Sequence, residues 1–363
     1  MPTLHTPLTL GSLEIPNRIL MAPLTRCRAE PGDVPGELIA THYAQRAGAG
    51  LLIAEATMAI ADNCAFVGAP GIHSDAQVAG WRKVTDAVHA RGGRIYLQLW
   101  HGGRACHSLL NGGLQPVSAS PIAITGSEIY TPAGMKPYET PRALGDDEIP
   151  SIIEGFRLAA VHAQRAGFDG VEVHGANGYL LDQFLRDGSN HRTGPYGGPI
   201  ENRARLLLEV VDAVSSVFGA GRVGVRISPL NSYNDMIDGD PAGLTAFVAA
   251  RLSERGVGYL HVMRADFLGR QQGDVLGPAR AAFKGALVAN MGFTPDEAAA
   301  AVGAGLVDAV AFGTAFLANP DLPERIARKA PLNAPDAATF YSPGAKGYND
   351  YPTLDDSAVA TKG

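Results

Sequence analysis

The chain is poor in cysteine: its 363 residues include three, Cys27, Cys64 and Cys106. A sparse, odd set without regular spacing excludes a disulfide framework. It also falls short of the four thiolates of a typical iron–sulfur cluster. There is no basic block and no Lys/Arg-rich tail, and the formal net charge is −6. A nucleic-acid or anionic-membrane surface is therefore disfavoured, a local patch apart. No apolar run approaches the roughly 20 residues that span a bilayer. Met1 to Gly11 has neither the charged n-region nor the apolar h-region of a signal peptide, so the expected location is the cytoplasm. Charged residues make up 18% of the chain and hydrophobic ones 46%, the balance of a globular protein rather than a disordered one.

What is present is an alternation of short apolar runs with helical stretches. Eight strand-like runs are read: Arg18–Leu24, Gly50–Ala56, Arg94–Trp100, Gly170–His174, Val223–Ser228, Tyr259–Met263, Ala286–Asn290 and Asp308–Phe312. Helices are read between them at Asp147–Ala166, Glu201–Phe218 and Pro241–Arg255, and from the capping box Thr294-Pro295-Asp296-Glu297. Eight βα units point to a parallel sheet. The expected fold class is α/β, a (β/α)8 TIM barrel of one domain over residues 1–363; a doubly wound open sheet is the alternative at this count. His101–Gly145, between strands three and four, is rich in Gly, Ser, Thr and Pro and carries no core helix. It is expected to be a capping excursion over the C-terminal face. Met1–Pro16 is expected to close the bottom, and the stretch after Ala330 to pack as an irregular tail.

Side chains alternate along a strand. Ile95, Leu97 and Leu99 therefore oppose Tyr96, Gln98 and Trp100. Val171 and Val173 oppose Glu172 and His174. Val223, Val225 and Ile227 oppose Gly224, Arg226 and Ser228. With the apolar sets toward the helices, the polar sets face the barrel axis, where this fold assembles active sites. The alternative is a set of buried polar groups that satisfy one another.

His174-Gly-Ala-Asn177-Gly-Tyr179 leaves the fourth strand directly. A His and an Asn side by side can polarise a carbonyl or nitro oxygen. A phenol with an ordinary pKa of about 10 keeps its proton at neutral pH and can deliver it. A structural His and a capping Asn would give the same spacing. The last two strands run out through Asn290-Met-Gly292 and Gly313-Thr314, each toward a helix. Such ends bind phosphate through backbone N–H groups, and in this fold the loops after strands seven and eight are the usual phosphate site; ordinary tight turns are the alternative. No G-x-G-x-x-G fingerprint follows any strand, so a Rossmann site has no support. Cys106-His107 beside His101 fits no zinc spacing, and no metal is expected.

Met21-Ala-Pro-Leu-Thr-Arg26, Gln98-Leu-Trp-His101-Gly-Gly-Arg104, the His174–Tyr179 motif and Tyr196-Gly-Gly-Pro-Ile-Glu-Asn-Arg203 resemble, in order, the motifs of the old yellow enzyme family. Ala309-Val-Ala-Phe-Gly313 followed by Ala318-Asn-Pro-Asp321 extends the match. The subgroup they resemble is that of bacterial alkene, xenobiotic and N-ethylmaleimide reductases. The resemblance implies FMN as cofactor and NAD(P)H as co-substrate. It implies an electron-poor alkene or nitro compound as the small-molecule substrate. It places Pro23, Leu24 and Thr25 against the isoalloxazine ring, with the Thr25 hydroxyl tuning it, Ala56 and Gln98 at the ring's polar edge, and Arg226 at N1 and the C2 carbonyl. It assigns Asn290, Gly292, Gly313 and Thr314 to the cofactor as well. His174 and Asn177 would hold the substrate oxygen, Tyr179 would protonate Cα, and Trp100, Phe66 and Tyr341 would line the substrate space. Nitrate esters and nitroaromatics are further expected oxidants, and a monomer or homodimer is the expected assembly.

Two departures stand out: the stretch around Gly194-Pro195 lacks the Asp expected after the Thr, a loop change without further consequence, and the other lies after the last strand. Thr314 stands where much of the family has an Arg that grips the FMN phosphate, so either another basic residue compensates or FMN binds less tightly. Two rivals stand against this reading: a flavin-free phosphate-binding barrel, an aldolase or isomerase, with Glu55 or Glu172 as base, and a non-enzymatic flavoprotein that stores or senses redox state, which the full His/Asn/Tyr set argues against.

Overall fold

The computed structural model describes residues 1–356. Residues 357–363, which the one-domain expectation includes, lie outside the described part. Eight parallel strands close into a barrel in sequence order: β1 Ile19–Met21, β2 Leu52–Met58, β3 Ile95–Trp100, β4 Gly170–Gly175, β5 Val223–Ile227, β6 Tyr259–Met263, β7 Ala286–Asn290 and β8 Ala309–Phe312. Each lies at a range read from the sequence, and closure removes the open-sheet alternative. β1 is shorter than expected. Ala22 N–H still donates to the Phe312 carbonyl, but Pro23 has no N–H with which to continue the ladder.

The alternation holds in three dimensions. Ile95, Leu97, Leu99, Val171, Val173, Val223, Val225 and Ile227 pack outward into one large core with the helices. At the N-terminal end the inward Tyr96 and Tyr259 join Leu10, Leu13 and Ile15. These last belong to the hairpin Leu8–Leu10/Leu13–Ile15, which closes the bottom as expected. Each such apolar side chain taken from water contributes roughly 1.5–3 kcal/mol. The two tyrosines fit because their neighbours are glycine. A Cβ on Gly170 would lie 2.3 Å from the Tyr96 ring, and one on Gly224 2.1 Å from the Tyr259 ring.

The helices follow their sequence signals. The Thr294 box forms, with Glu297 reaching back, and opens Pro295–Gly303. Pro241–Arg255 is capped by Asp240 and stops at Gly256 in the left-handed region. Asp147–Ala166 narrows to Ile149–Arg165. The helix read over Glu201–Phe218 is two, Ile200–Arg203 and Arg205–Phe218, with Ala204 at the joint.

Residues 101–145 contain no α-helix. They hold a hairpin, Glu128–Thr131/Gly134–Pro137, and the short pair Val117–Ser118/Arg142–Ala143. The tail returns to the same end of the barrel. Arg26 Nη2 donates to the Gly347 carbonyl at 2.7 Å and Arg28 Nη2 to that of Thr339 at 2.9 Å, and both guanidiniums face the Tyr348 ring. Among the described residues no helix is long and apolar enough to cross a membrane.

Candidate active site

The turn after β4 bends because Asn177 and Gly178 both adopt positive φ, +58° and +73°. This is a left-handed conformation that Asn tolerates better than most residues. The bend brings the three motif residues together. The Tyr179 ring meets that of His174 edge-on at 5.2 Å and that of Trp100 at 5.1 Å. His174 Nδ1 accepts the Ala176 N–H at 3.3 Å, which leaves Nε2 to carry the ring proton. Burial, reinforced by Arg226, holds His174 well below the usual histidine range, so the ring is neutral. Burial, reinforced by Tyr233 and Tyr138, pushes the Tyr179 phenol well above its usual value. Asn177 is fixed on three sides. Its N–H donates to Ser228 Oγ at 2.7 Å, its carbonyl accepts from Asn234 Nδ2 at 2.9 Å, and its Oδ1 accepts from Asn231 Nδ2 at 2.9 Å. Its own Nδ2–H2 is left to donate.

Beside this turn is a cavity of about 330 Å³, lined by Pro23, Leu24, Asn177, Arg226, Asn290, Gly292, Gly313 and Thr314. Seven of these come from the predicted cofactor set. Arg226 is 5% exposed and its Nε is buried without a partner, a cation awaiting an acceptor edge. At the far end Met291 and Gly292 have φ of +88° and +68°. Arg264 Nε donates to the Met291 carbonyl at 2.9 Å and Nη2 to that of Gly292 at 3.0 Å. A trans peptide sets its N–H opposite its C=O. Arg264 therefore turns the N–H groups of Gly292 and Phe293 away from itself, and both residues line the cavity, a candidate anion site. An orphaned cation at one end and free backbone donors at the other fit a flavin mononucleotide.

The remaining cofactor candidates are less open. Ala56 and Gln98 pair in register across β2 and β3 just after a bulge at Glu55, and both are buried. Gln98 Nε2 donates to Glu172 Oε1 at 2.8 Å. Thr25 is half-buried and is not among the cavity-lining residues. Glu55 accepts the Arg26 N–H at 3.2 Å behind the strand, which removes it as a base at the mouth.

A second cavity of about 580 Å³ opens under the cap, lined by Phe66, Ile129, Tyr138, Tyr233 and Tyr341 among others. Phe66 and Tyr341 stack at 6.1 Å. Trp100 stands one layer back, fully buried, 6.2 Å from Phe66. Cys27 borders this cavity, but burial pushes its thiol up to about 12, so it is no thiolate nucleophile. Cys106 donates to the Asn63 carbonyl, and His107 accepts the Leu109 N–H; both hold the cap together. Asn231, His261 and Arg264 carried no sequence signal, because only barrel closure brings them to the motif.

The NADH:flavin oxidoreductase / NADH oxidase family matches residues 3–333. A probable flavin mononucleotide-dependent alkene reductase of Leishmania infantum is 49% identical over 353 residues, covering 96% of each chain. The 12-oxophytodienoate reductase 1 of Oryza sativa subsp. japonica is 43% identical over 360 residues, 97% of this chain and 93% of that one. Morphinone reductase, solved with tetrahydroNAD, superposes with a TM-score of 0.94 at 48% identity over 98% of this chain and 99% of its own. An old yellow enzyme homologue from Zymomonas mobilis also gives 0.94, at 43% identity over 97% and 100%. The fold and these matches agree with the motifs, and the chain belongs to the old yellow enzyme family, the FMN-dependent NAD(P)H oxidoreductases of the alkene-reductase type.

Proposed function

We propose that the chain works as one FMN-binding barrel, a cytoplasmic monomer or homodimer, that reduces activated C=C bonds of α,β-unsaturated carbonyl or nitro compounds. Nitrate esters and nitroaromatics are further oxidants for the same pocket. The observation that carries this reading is one turn that holds three donors beside a cavity: Asn177 lines the cavity with Arg226, and His174 and Tyr179, in ring contact with each other, flank Asn177 in the same turn. When bound, FMN would supply the hydride chemistry that links NAD(P)H to the substrate β-carbon.

The protein's own groups do the rest. Pro23, Leu24 and Thr25 would bear on the ring, Ala56, Gln98 and Arg226 would hold its polar edge, and the N–H groups around Gly292, Gly313 and Thr314, with Asn290 beside them, would hold the phosphate. Neutral His174 and Asn177 donate to the substrate oxygen and so draw electron density from Cβ. Tyr179 holds its proton for Cα. The phenolic and aromatic walls at Phe66, Tyr138 and Tyr341 keep water from that carbon and suit a flat, apolar substrate. Arg264 answers the missing Arg at position 314, because it orients the phosphate-facing N–H groups from behind.

Binding of 2-cyclohexenone to the oxidised holoenzyme tests the donor pair. Replacing His174 or Asn177 by Ala should weaken it about tenfold or more, the cost of one donor to a polarised oxygen. Unchanged affinity in both variants would remove them from the site.

A further inference from the structure

Below the proposed ring site lies a carboxylate that neither the motif nor the donor set uses. Glu172 on β4 is fully buried. Its Oε1 accepts from Gln98 Nε2 at 2.8 Å, and its Oε2 accepts from the Tyr259 hydroxyl at 3.0 Å and from His261 Nδ1 at 2.9 Å. Three donors on one buried carboxylate favour its charged form. Burial alone would raise its pKa, but His261, then Arg226 and Gln98, hold it below the usual range. Burial lowers the His261 pKa, and Glu172 opposes that shift. Arg226 is the permanent cation beside Glu172. Arg226 pairs in register with His174 on one side and His261 on the other.

Two consequences follow from a carboxylate at this position. A carboxylate only accepts, so it fixes which end of the Gln98 amide faces it: Nε2 faces Glu172, and Oε1 is left for the proposed ring. An upward Oε1 suits the single N–H on the polar edge of a flavin, whereas a flipped amide would set donor against donor. The carboxylate also offsets the Arg226 charge, on which the reduced, more negative ring depends.

We infer that Glu172 is a positioning residue that tunes the bound flavin: it sets the Gln98 amide for the oxidised ring and limits how strongly Arg226 favours the reduced one. This rests on the proposed placement of the ring over Gln98 and Arg226.

The test is the two-electron midpoint potential of the FMN-saturated protein, measured with riboflavin affinity for the apoprotein. Glu172→Gln should favour reduced over oxidised flavin by about tenfold, which for a two-electron couple is a shift of about 30 mV to the positive side. It should also weaken riboflavin binding, because a neutral amide at 172 lets Gln98 flip. Glu172→Asp keeps the charge but draws it back from Gln98. It should weaken riboflavin binding with little change in potential, and it serves if the Gln variant does not fold. An unshifted potential in Glu172→Gln would overturn the inference. Arg226→Gln separates this from failure of the site: it should weaken FMN binding or shift the potential negative. If Arg226→Gln changes neither, the ring placement itself is wrong.

Discussion

Asn231 Nδ2 donates to Asn177 Oδ1 at 2.9 Å, and that single bond decides which end of the Asn177 amide is left free, the end proposed to donate to the substrate. Asn231 is itself fixed. It is fully buried, and its Oδ1 accepts the N–H groups of Tyr233 and Phe267 at 3.4 and 3.3 Å. Its amide cannot turn without losing both, so its donor end always faces Asn177.

Asn231→Ala should therefore weaken binding of 2-cyclohexenone to the oxidised holoenzyme about fivefold, the loss of one ordinary hydrogen bond. FMN affinity should hold. A spectral titration of the bound flavin measures both, and a parallel loss of FMN would show general collapse of the loop instead.

The donor set makes a pH prediction. Tyr179 is pushed above its usual range and His174 below its own. The phenol keeps its proton and the imidazole stays neutral from pH 6 to 9. The rate of alkene reduction in the oxidative half-reaction should be flat across that interval. A rise or fall centred near pH 6.5 would show His174 titrating and would contradict its role as a neutral donor.

The phosphate end can be tested without turnover. Arg264→Ala should weaken FMN binding to the apoprotein about tenfold, the worth of a charge-assisted hydrogen bond, and leave riboflavin affinity unchanged. Equal losses for the two ligands would mean that Arg264 acts on the loop as a whole. Thr314→Arg should tighten FMN, because it restores a bidentate partner.

Glu55 supplies a stability prediction. Burial pushes its carboxyl up to about 7, against an ordinary 4.5. The folded state then binds the proton more tightly than the unfolded one. The Glu55 contribution to stability is greatest below about pH 4.5, falls as pH rises toward 7, and is level above that. Glu55→Gln should remove up to about 3 kcal/mol of that fall. Urea unfolding at pH 5 and pH 8, compared between wild type and variant, separates the Glu55 contribution from that of the other carboxyls.

Much of this was legible in the chain, for reasons that differ by element. The barrel strands show because each carries the two-residue alternation between a helix-facing and an axis-facing set, as at Ile95–Trp100. His174, Asn177 and Tyr179 show because one turn holds all three. The hairpin at Glu128–Pro137 did not show, since its composition is that of any polar loop. Asn231 and His261 stand 54 and 89 residues from the groups they bond. Nothing local marks them, because their role arises only when β4, β5 and β6 lie side by side. Alternation gives the face of Trp100 but not its depth: the ring is fully buried, in contact with Tyr179 and Phe66.

The most direct test of the central claim is the visible spectrum of the FMN-loaded protein under anaerobic conditions, recorded before and after NADPH and again after 2-cyclohexenone, for wild type and Tyr179→Phe. The wild-type flavin bands should bleach with NADPH and return with the enone. In Tyr179→Phe they should bleach as fast and return much more slowly, because the variant lacks the proton for Cα. A wild-type flavin that bleaches but is not reoxidised by the enone would contradict ene-reduction. Equal slowing of both steps in Tyr179→Phe would contradict the role of the phenol as proton donor.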